Sequence, residues 1–289
     1  MDRVDDLMTD LLPRPSTPRV AVIGDIGGQV GALRYELVRL GADPHTGVIP
    51  ADLTIVQVGD VIHRGPDSEE VVALVDSYLH RQPDHWIQLI GNHEGLYLGQ
   101  TAFEWSPRVD DPTIATLRRW WEDGSMVVAA AVPTADGDFL VTHAGLTAGF
   151  WRSVLDVPHT AAQAATALNS LIANRQAAIF RSGVMLTGRK SGAAGPLWAS
   201  APTELVPSWF HSTMPFSQIH GHSSITDWST GELRGPAAVT TRTSLNLITR
   251  HETTTMRGGR IIGIDPDHGA DPAPLWSAWE ADLTGPVSM

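Results

Sequence analysis

Three apolar runs in the first hundred residues each stop at a glycine followed by a residue with a side-chain oxygen: VAVIGD (20–25), TIVQVGD (54–60) and WIQLIGN (86–92). Runs this short, rich in Val and Ile, read as buried strands. The segments between them have helical periodicity. Residues 29–40 place Val30, Leu33, Leu37 and Leu40 on one stripe, and SEEVVALVDSYLHR (68–81) opens on Ser68 as an N-cap. The order βαβαβ implies right-handed crossovers and a parallel sheet, with the three polar turns gathered at one edge.

The rest of the chain continues as α/β. TIATLRRWWEDG (113–124) predicts a helix ended by Gly124, and SMVVAAAV with DFLVTH predicts an antiparallel pair around PTADGD. Residues 160–182 are alanine-rich and helical. The stretch 187–202 is a glycine-rich loop long enough to be a lid or specificity element. FSQIHGH, LNLITRHETT and GRIIGID read as later strands of a second sheet. The tail after Asp271, carrying Trp276 and Trp279, is expected to pack back on the body. Residues 1–18 are acidic and proline-broken and read as a mobile leader without a secretory h-region, leaving 19–289 as one domain.

Composition narrows the chemistry. There is no cysteine, so any metal must be held by His, Asp, Glu or Asn. The net charge is −12, with one lysine (Lys190) and no Lys/Arg cluster, which argues against nucleic acid as a partner. No apolar run approaches the ~20 residues of a membrane span. A cytoplasmic protein is expected, with no nucleic-acid or membrane partner.

Five strand ends carry donors suited to hard cations: Asp25, Asp60, Asn92 with His93, His143 in THAG, and His222 in HGH. Singly each is weak, since Asp25 and Asp60 could be helix N-caps and Arg64 a surface ion-pair member. Five such pieces, each after an apolar strand, point to one cation site.

The series resembles the calcineurin-like metallophosphoesterase superfamily, in its branch of serine/threonine protein phosphatases and bacterial diadenosine tetraphosphatases. The matching residues are Gly24-Asp25, Gly59-Asp60 with Arg64-Gly65, Gly91-Asn92-His93-Glu94, His143-Ala144-Gly145 and Gly221-His222. IIGIDPDHG (261–269) is similar to the family's late strand. The resemblance implies two β-sheets packed face to face as a sandwich flanked by helices. It also implies two divalent ions, with Mn²⁺ expected and Fe, Zn, Mg or Ni as alternatives. Asp60 would bridge them, Asp25 would bind the first, and Asn92, His143 and His222 the second. Such a pair clamps a phosphoryl oxygen and activates water for in-line attack. His93 would protonate the leaving oxygen and Arg64 would hold the phosphorylated substrate.

Two positions depart from the pattern. Gly27 stands where the family has a first-site histidine. Three outcomes compete: water fills the vacant place, a side chain does so (His63, His220, His251 or His268), or the site is largely empty; Mn²⁺-like ions with a weak first site are expected. His63 replaces an aspartate that orients the proton-donating histidine, and a cationic His63 would depress the pKa of His93. His220 reads as supporting or core. Arg189 is the candidate for a second phosphate clamp. The expected activity is hydrolysis of phosphomonoesters, on a phosphoprotein or small molecule. The alternatives are cleavage of dinucleoside polyphosphates and a non-catalytic metal- and phosphate-binding relative.

Overall fold

The computed structural model describes residues 17–99, 103–174, 176–268 and 274–289. Most of the expected leader, residues 1–16, lies outside them. Strand β1 (Arg19–Ile23) leads into helix α1 (Val30–Arg39), β2 (Leu53–Gln57) into α2 (Ser68–Arg81), and β3 (Trp86–Leu89) into the short α3 (Asn92–Gly95). Helix α4 (Asp111–Glu122) follows, opened by Asp110, whose side chain accepts from the Thr113 amide at 2.9 Å, with Pro112 in the first turn.

The SMVVAAAV segment is two strands rather than one. β4 (Met126–Val127) extends the first sheet and β5 (Ala129–Thr134) begins the second, so one apolar run passes from layer to layer at Val128. β6 (Gly137–Thr142) closes the expected hairpin with β5. Helices α5 (Ala148–Ser153), α6 (Ala161–Asn174), α7 (Gln176–Ile179) and α8 (Val184–Thr187) come next. Then follow β7 (Ser217–His220), the small pair β8 (Thr226–Asp227) and β9 (Glu232–Leu233), and β10 (Thr243–Asn246). LNLITRHETT turns back on itself, so β10 and β11 (His251–Met256) form a hairpin, followed by β12 (Gly259–Gly263) and β13 (Trp279–Asp282).

The first sheet has the order β13-β1-β2-β3-β4 and the second β10-β11-β12-β7-β6-β5. β1 to β4 run parallel, with Val22 beside Val56 and Val56 beside Ile87. The period-two alternation of each strand assigns its faces. Val20, Val22, Val56 and Val58 pack against Ala130, Val132, Phe139, Val141, Ile219 and Ile262 of the other sheet. Ala21, Ile23 and Ile55 face outward onto Leu33 and Leu37 of α1 and Val71 and Val75 of α2. Each buried Val, Leu or Ile side chain among these contributes about 1.5–3 kcal/mol by leaving water. The tail does pack back: β13 pairs antiparallel with β1, Trp279 lies against Phe139, and the Ala278 amide donates to the buried Glu36 carboxylate. The result is the expected sandwich of two sheets with helices outside. Among the described residues no helix is long and apolar enough to cross a membrane.

Candidate metal centre

The three polar turns meet at the C-terminal ends of β1, β2 and β3, where the ends of β6 and β7 join them. Main-chain bonds stitch the turns together. The Asp60 carbonyl accepts the Ile26 and Gly27 amides at 3.0 and 2.8 Å, and Val61 accepts that of Gly28 at 2.9 Å. Asp60, His63, Arg64 and His222 all have φ between 54° and 70°, a left-handed backbone that non-glycine residues adopt only when surroundings impose it. That turn is braced by Glu94, fully buried, which accepts the amides of Asp60, Gly91 and Val61 at 2.8, 2.8 and 3.0 Å. Burial and the neighbouring Asp60 charge push the Glu94 carboxyl up to about 8.

Neither aspartate caps a helix in its own turn. Asp25 accepts the His222 amide at 3.0 and 3.2 Å, and Asp60 Oδ1 accepts that of His93 at 3.0 Å. Glycine is required at 221, because a Cβ there would collide with Asp25 Oδ1.

The donor atoms of Asp60, His143 and His222 lie within 4.8 Å of one another. Asn92 Oδ1 sits among them, 2.8 Å from His143 Nε2 and 2.9 Å from His222 Nδ1. His143 Nδ1 must carry a proton, because its partner at 3.1 Å is the Val58 carbonyl. Burial holds both imidazoles below their ordinary pKa and so neutral. A neutral His143 therefore turns the Nε2 lone pair toward the lone pairs of Asn92. Buried acceptors facing each other are unfavourable in a dry protein and are the donor arrangement around a cation. His222 Nε2 is buried without a hydrogen-bond partner among the described residues.

Charge points the same way. Burial raises the Asp25 carboxyl well above its ordinary range, and Asp265 and Asp60 raise it further. Asp265 is pushed up to about 6, mainly by burial. Burial also pushes Asp60 up, but the imidazoles of His143 and His93 and the His93 amide outweigh it and hold it at about 2. Three carboxylates crowded this way form a site that a divalent cation would neutralise.

His93 projects from α3 with Nε2 3.8 Å from Asp60 Oδ2. Its other nitrogen, Nδ1, is 2.6 Å from His63 Nδ1, and His63 Nε2 is 2.7 Å from the Tyr97 hydroxyl. The His63 expectation needs correcting. Burial first, then His93, lowers its pKa to about 4, so it is neutral rather than cationic at pH 7. One proton order satisfies the chain: Val109 N–H to Tyr97 oxygen at 3.3 Å, Tyr97 O–H to His63 Nε2, and His63 Nδ1–H to His93 Nδ1. His93 is left with its proton on Nε2, facing Asp60.

Beside the donors opens a cavity of about 260 Å³. One side presents Arg64, Asn92, His93 and His222, and the other Phe103, Trp105, Met185, Leu186 and Trp198. Trp105 stacks on His63 at 5.5 Å and meets His93 edge-on at 4.6 Å, while the Arg64 guanidinium lies 5.7 Å from its ring. Arg189 is exposed and not in this wall, so the expected second clamp is not at the site. A larger depression, about 630 Å³ around Pro18, Thr54, Ile87 and Leu283, has Asp84 as its one ionisable lining residue.

The 187–202 loop borders the cavity, held by a residue that sequence reading passed over. Glu204, on the π-helical turn Ala201–Leu205, accepts the amides of Val184, Ser191 and Ser200 at 2.9, 2.7 and 3.0 Å. Glu204→Ala would strand three donors and is expected to cost about 2–4 kcal/mol in thermal or denaturant unfolding. It should also raise KM more than it lowers kcat, because Trp198 and Leu186 lose their fixed positions. Glu94 had a local signal, a capping-box spacing after Gly91. Asp265 lies in IIGIDPDHG, read only as a late strand, and Phe103 and Trp105 had no signal.

An 81-residue stretch, 28% of this chain, is 33% identical to a serine/threonine-protein phosphatase of Caenorhabditis elegans, and the match spans only 16% of that relative. A cold-active protein-tyrosine phosphatase of a psychrophilic Shewanella species superposes with a TM-score of 0.52 at 16% identity, over 92% of this chain and 75% of that one. A putative diadenosine tetraphosphatase superposes less closely, with a TM-score of 0.41 at 20% identity over 88% and 85% of the two chains. The calcineurin-like phosphoesterase profile matches residues 18–177, more than half of the chain and the whole run of strand-end turns from Asp25 to His143. By that match, the chain belongs to the calcineurin-like phosphoesterase family.

Proposed function

We propose that this protein is a metal-dependent phosphomonoesterase that favours aryl phosphates. The observation that carries the reading is the convergence of Asp60, Asn92, His143 and His222, with the His143 and Asn92 lone pairs facing each other, beside a cavity that also receives Arg64 and His93. Asp60, Asn92, His143 and His222 would hold one divalent ion and Asp25 with Asp60 another, Mn²⁺ suiting the mixed N/O donors. Bound there, the ions supply Lewis acidity to the phosphoryl group and lower the pKa of the attacking water.

The chain's own residues do the rest. Arg64 is the one cation among the described residues of the cavity wall, which suits a single terminal phosphate better than a polyphosphate. Phe103, Trp105 and Trp198 offer an aromatic leaving group stacking surface and exclude water. His93 presents Nε2–H toward the leaving oxygen. Because its partner is a neutral imidazole rather than a carboxylate, less of it is held as imidazolium, and leaving groups that need little protonation react best.

The test is an assay with Mn²⁺ of para-nitrophenyl phosphate, its bis-ester and diadenosine tetraphosphate. Turnover is expected on the monoester, with the other two slower by about tenfold or more. A preference for diadenosine tetraphosphate would replace this reading with polyphosphate cleavage. Inactivity on all three by metal-loaded protein would favour a binding module.

A further inference from the structure

Gly27 cannot bind a metal, and four histidines could replace the missing ligand. Three are engaged elsewhere. His63 is bonded at both nitrogens, to His93 and Tyr97. His220 Nδ1–H donates to the Gly221 carbonyl at 2.7 Å, and its Nε2 end lies against Gly263. His251 Nε2–H donates to the Ser277 carbonyl at 2.7 Å.

His268 differs from all three. It is 1% exposed, and among the described residues neither ring nitrogen has a partner of good hydrogen-bonding geometry, although the Asp25 main chain comes close enough to favour its protonated form. A buried imidazole with both nitrogens unsatisfied is costly unless something binds it. It also stands where the missing side chain would be: a Cβ built on Gly27 falls 3.2 Å from His268 Cβ and 3.5 Å from Arg64 Cδ. The His268 carbonyl receives Arg64 Nη1 at 3.4 Å, which ties this segment to the phosphate-facing side of the cavity. Asp265, three residues earlier, is one of the carboxylates that raise the pKa of Asp25.

We infer that His268 supplies the first-site imidazole from the opposite end of the chain, completing with Asp25 and Asp60 a site that Gly27 leaves short. The exchange explains why glycine occupies position 27. A histidine there would crowd His268 and would carry the left-handed φ of +55°. The donors of Asp25, Asp60 and His268 are not gathered within the 4.8 Å that groups Asp60, His143 and His222. The first site is therefore the weaker of the two and fills second.

This inference rests on the two-ion reading above, and the experiment separates their failures. Apo protein is titrated with Mn²⁺ alone and followed by elemental analysis and low-temperature electron paramagnetic resonance. Wild type is expected to take up about two ions in two phases, the second bringing the spectrum of a coupled pair. His268→Ala should retain the tight ion, lose the weak one and show an uncoupled signal, and added imidazole should restore the pair. Gly27→His in the His268→Ala background should restore it without imidazole. His268→Leu, which keeps apolar volume, serves if the alanine variant does not fold. A His268→Ala or His268→Leu protein that still shows two coupled ions without imidazole overturns the role of His268. Wild type saturating at one ion overturns it too while leaving the metal reading intact, and wild type binding none overturns both.

Discussion

Asp60→Asn is expected to lower phosphomonoester turnover by about 10³-fold or more and to abolish stabilisation by Mn²⁺. The substitution keeps the oxygen that accepts the His93 amide at 3.0 Å, so the turn itself should survive. What it removes is the charge that two ions would share. In the metal-free protein the change in stability should be small, because losing the Asp60 charge relieves Asp25 and Glu94 but forfeits the interactions with His143, His93 and the His93 amide that hold Asp60 at about 2. The diagnostic is a divergence between two melting curves. In chelator, Asp60→Asn should melt close to wild type. In Mn²⁺ it should miss the gain of about 2.7 kcal/mol expected of wild type at a hundredfold excess over Kd. A variant that keeps its Mn²⁺-dependent rise in Tm would remove Asp60 from the ligand set.

The second large effect concerns proton delivery. His93→Ala should slow alkyl phosphates by about 10²–10⁴-fold and para-nitrophenyl phosphate by only about tenfold, because the nitrophenolate leaves without a proton. His63→Asp should act in the opposite sense. Burial lowers the pKa of His93, and the neutral His63 beside it offers no countercharge. A carboxylate at 63 would favour the imidazolium and raise that pKa. In wild type, burial places the descending limb from His93 below the ordinary imidazole range. In His63→Asp the imidazolium persists to higher pH, so alkyl phosphate turnover should rise and then fall as pH passes the raised pKa. Superimposable pH–rate profiles and an unchanged aryl-to-alkyl ratio would show that the His63–His93 pair does not set leaving-group preference.

Much of this was legible in the residues. The strand-end dipeptides lie within a few positions of their strands, and alternation and helical periodicity are local properties that tertiary packing did not override. α2 has the expected bounds of 68–81, and the stripe of Val30, Leu33, Leu37 and Leu40 is buried as expected. Where reading failed, one run had two uses. SMVVAAAV is uniformly apolar, and nothing local marks Val128 as the residue where the chain leaves one sheet for the other. The charge of His63 was misjudged for a related reason. A histidine's protonation follows its burial and partners, and Tyr97 and Trp105 are visible only once folded.

The sequence by itself determined the order of most strands and helices and which oxygens and nitrogens would stand at strand ends; the sandwich came from the resemblance of its motif series to a known family. The strand and helix order follows from short-range patterning, in which neighbours along the chain dictate one another's conformation. Only the tertiary structure decided that His268 rather than His63, His220 or His251 lies over Gly27, that Tyr97 orders the protons of two histidines, and that Phe103, Trp105 and Trp198 wall the cavity. Each of those depends on close approach between segments far apart in the chain. No periodicity encodes such a contact, because it is set by how whole layers pack.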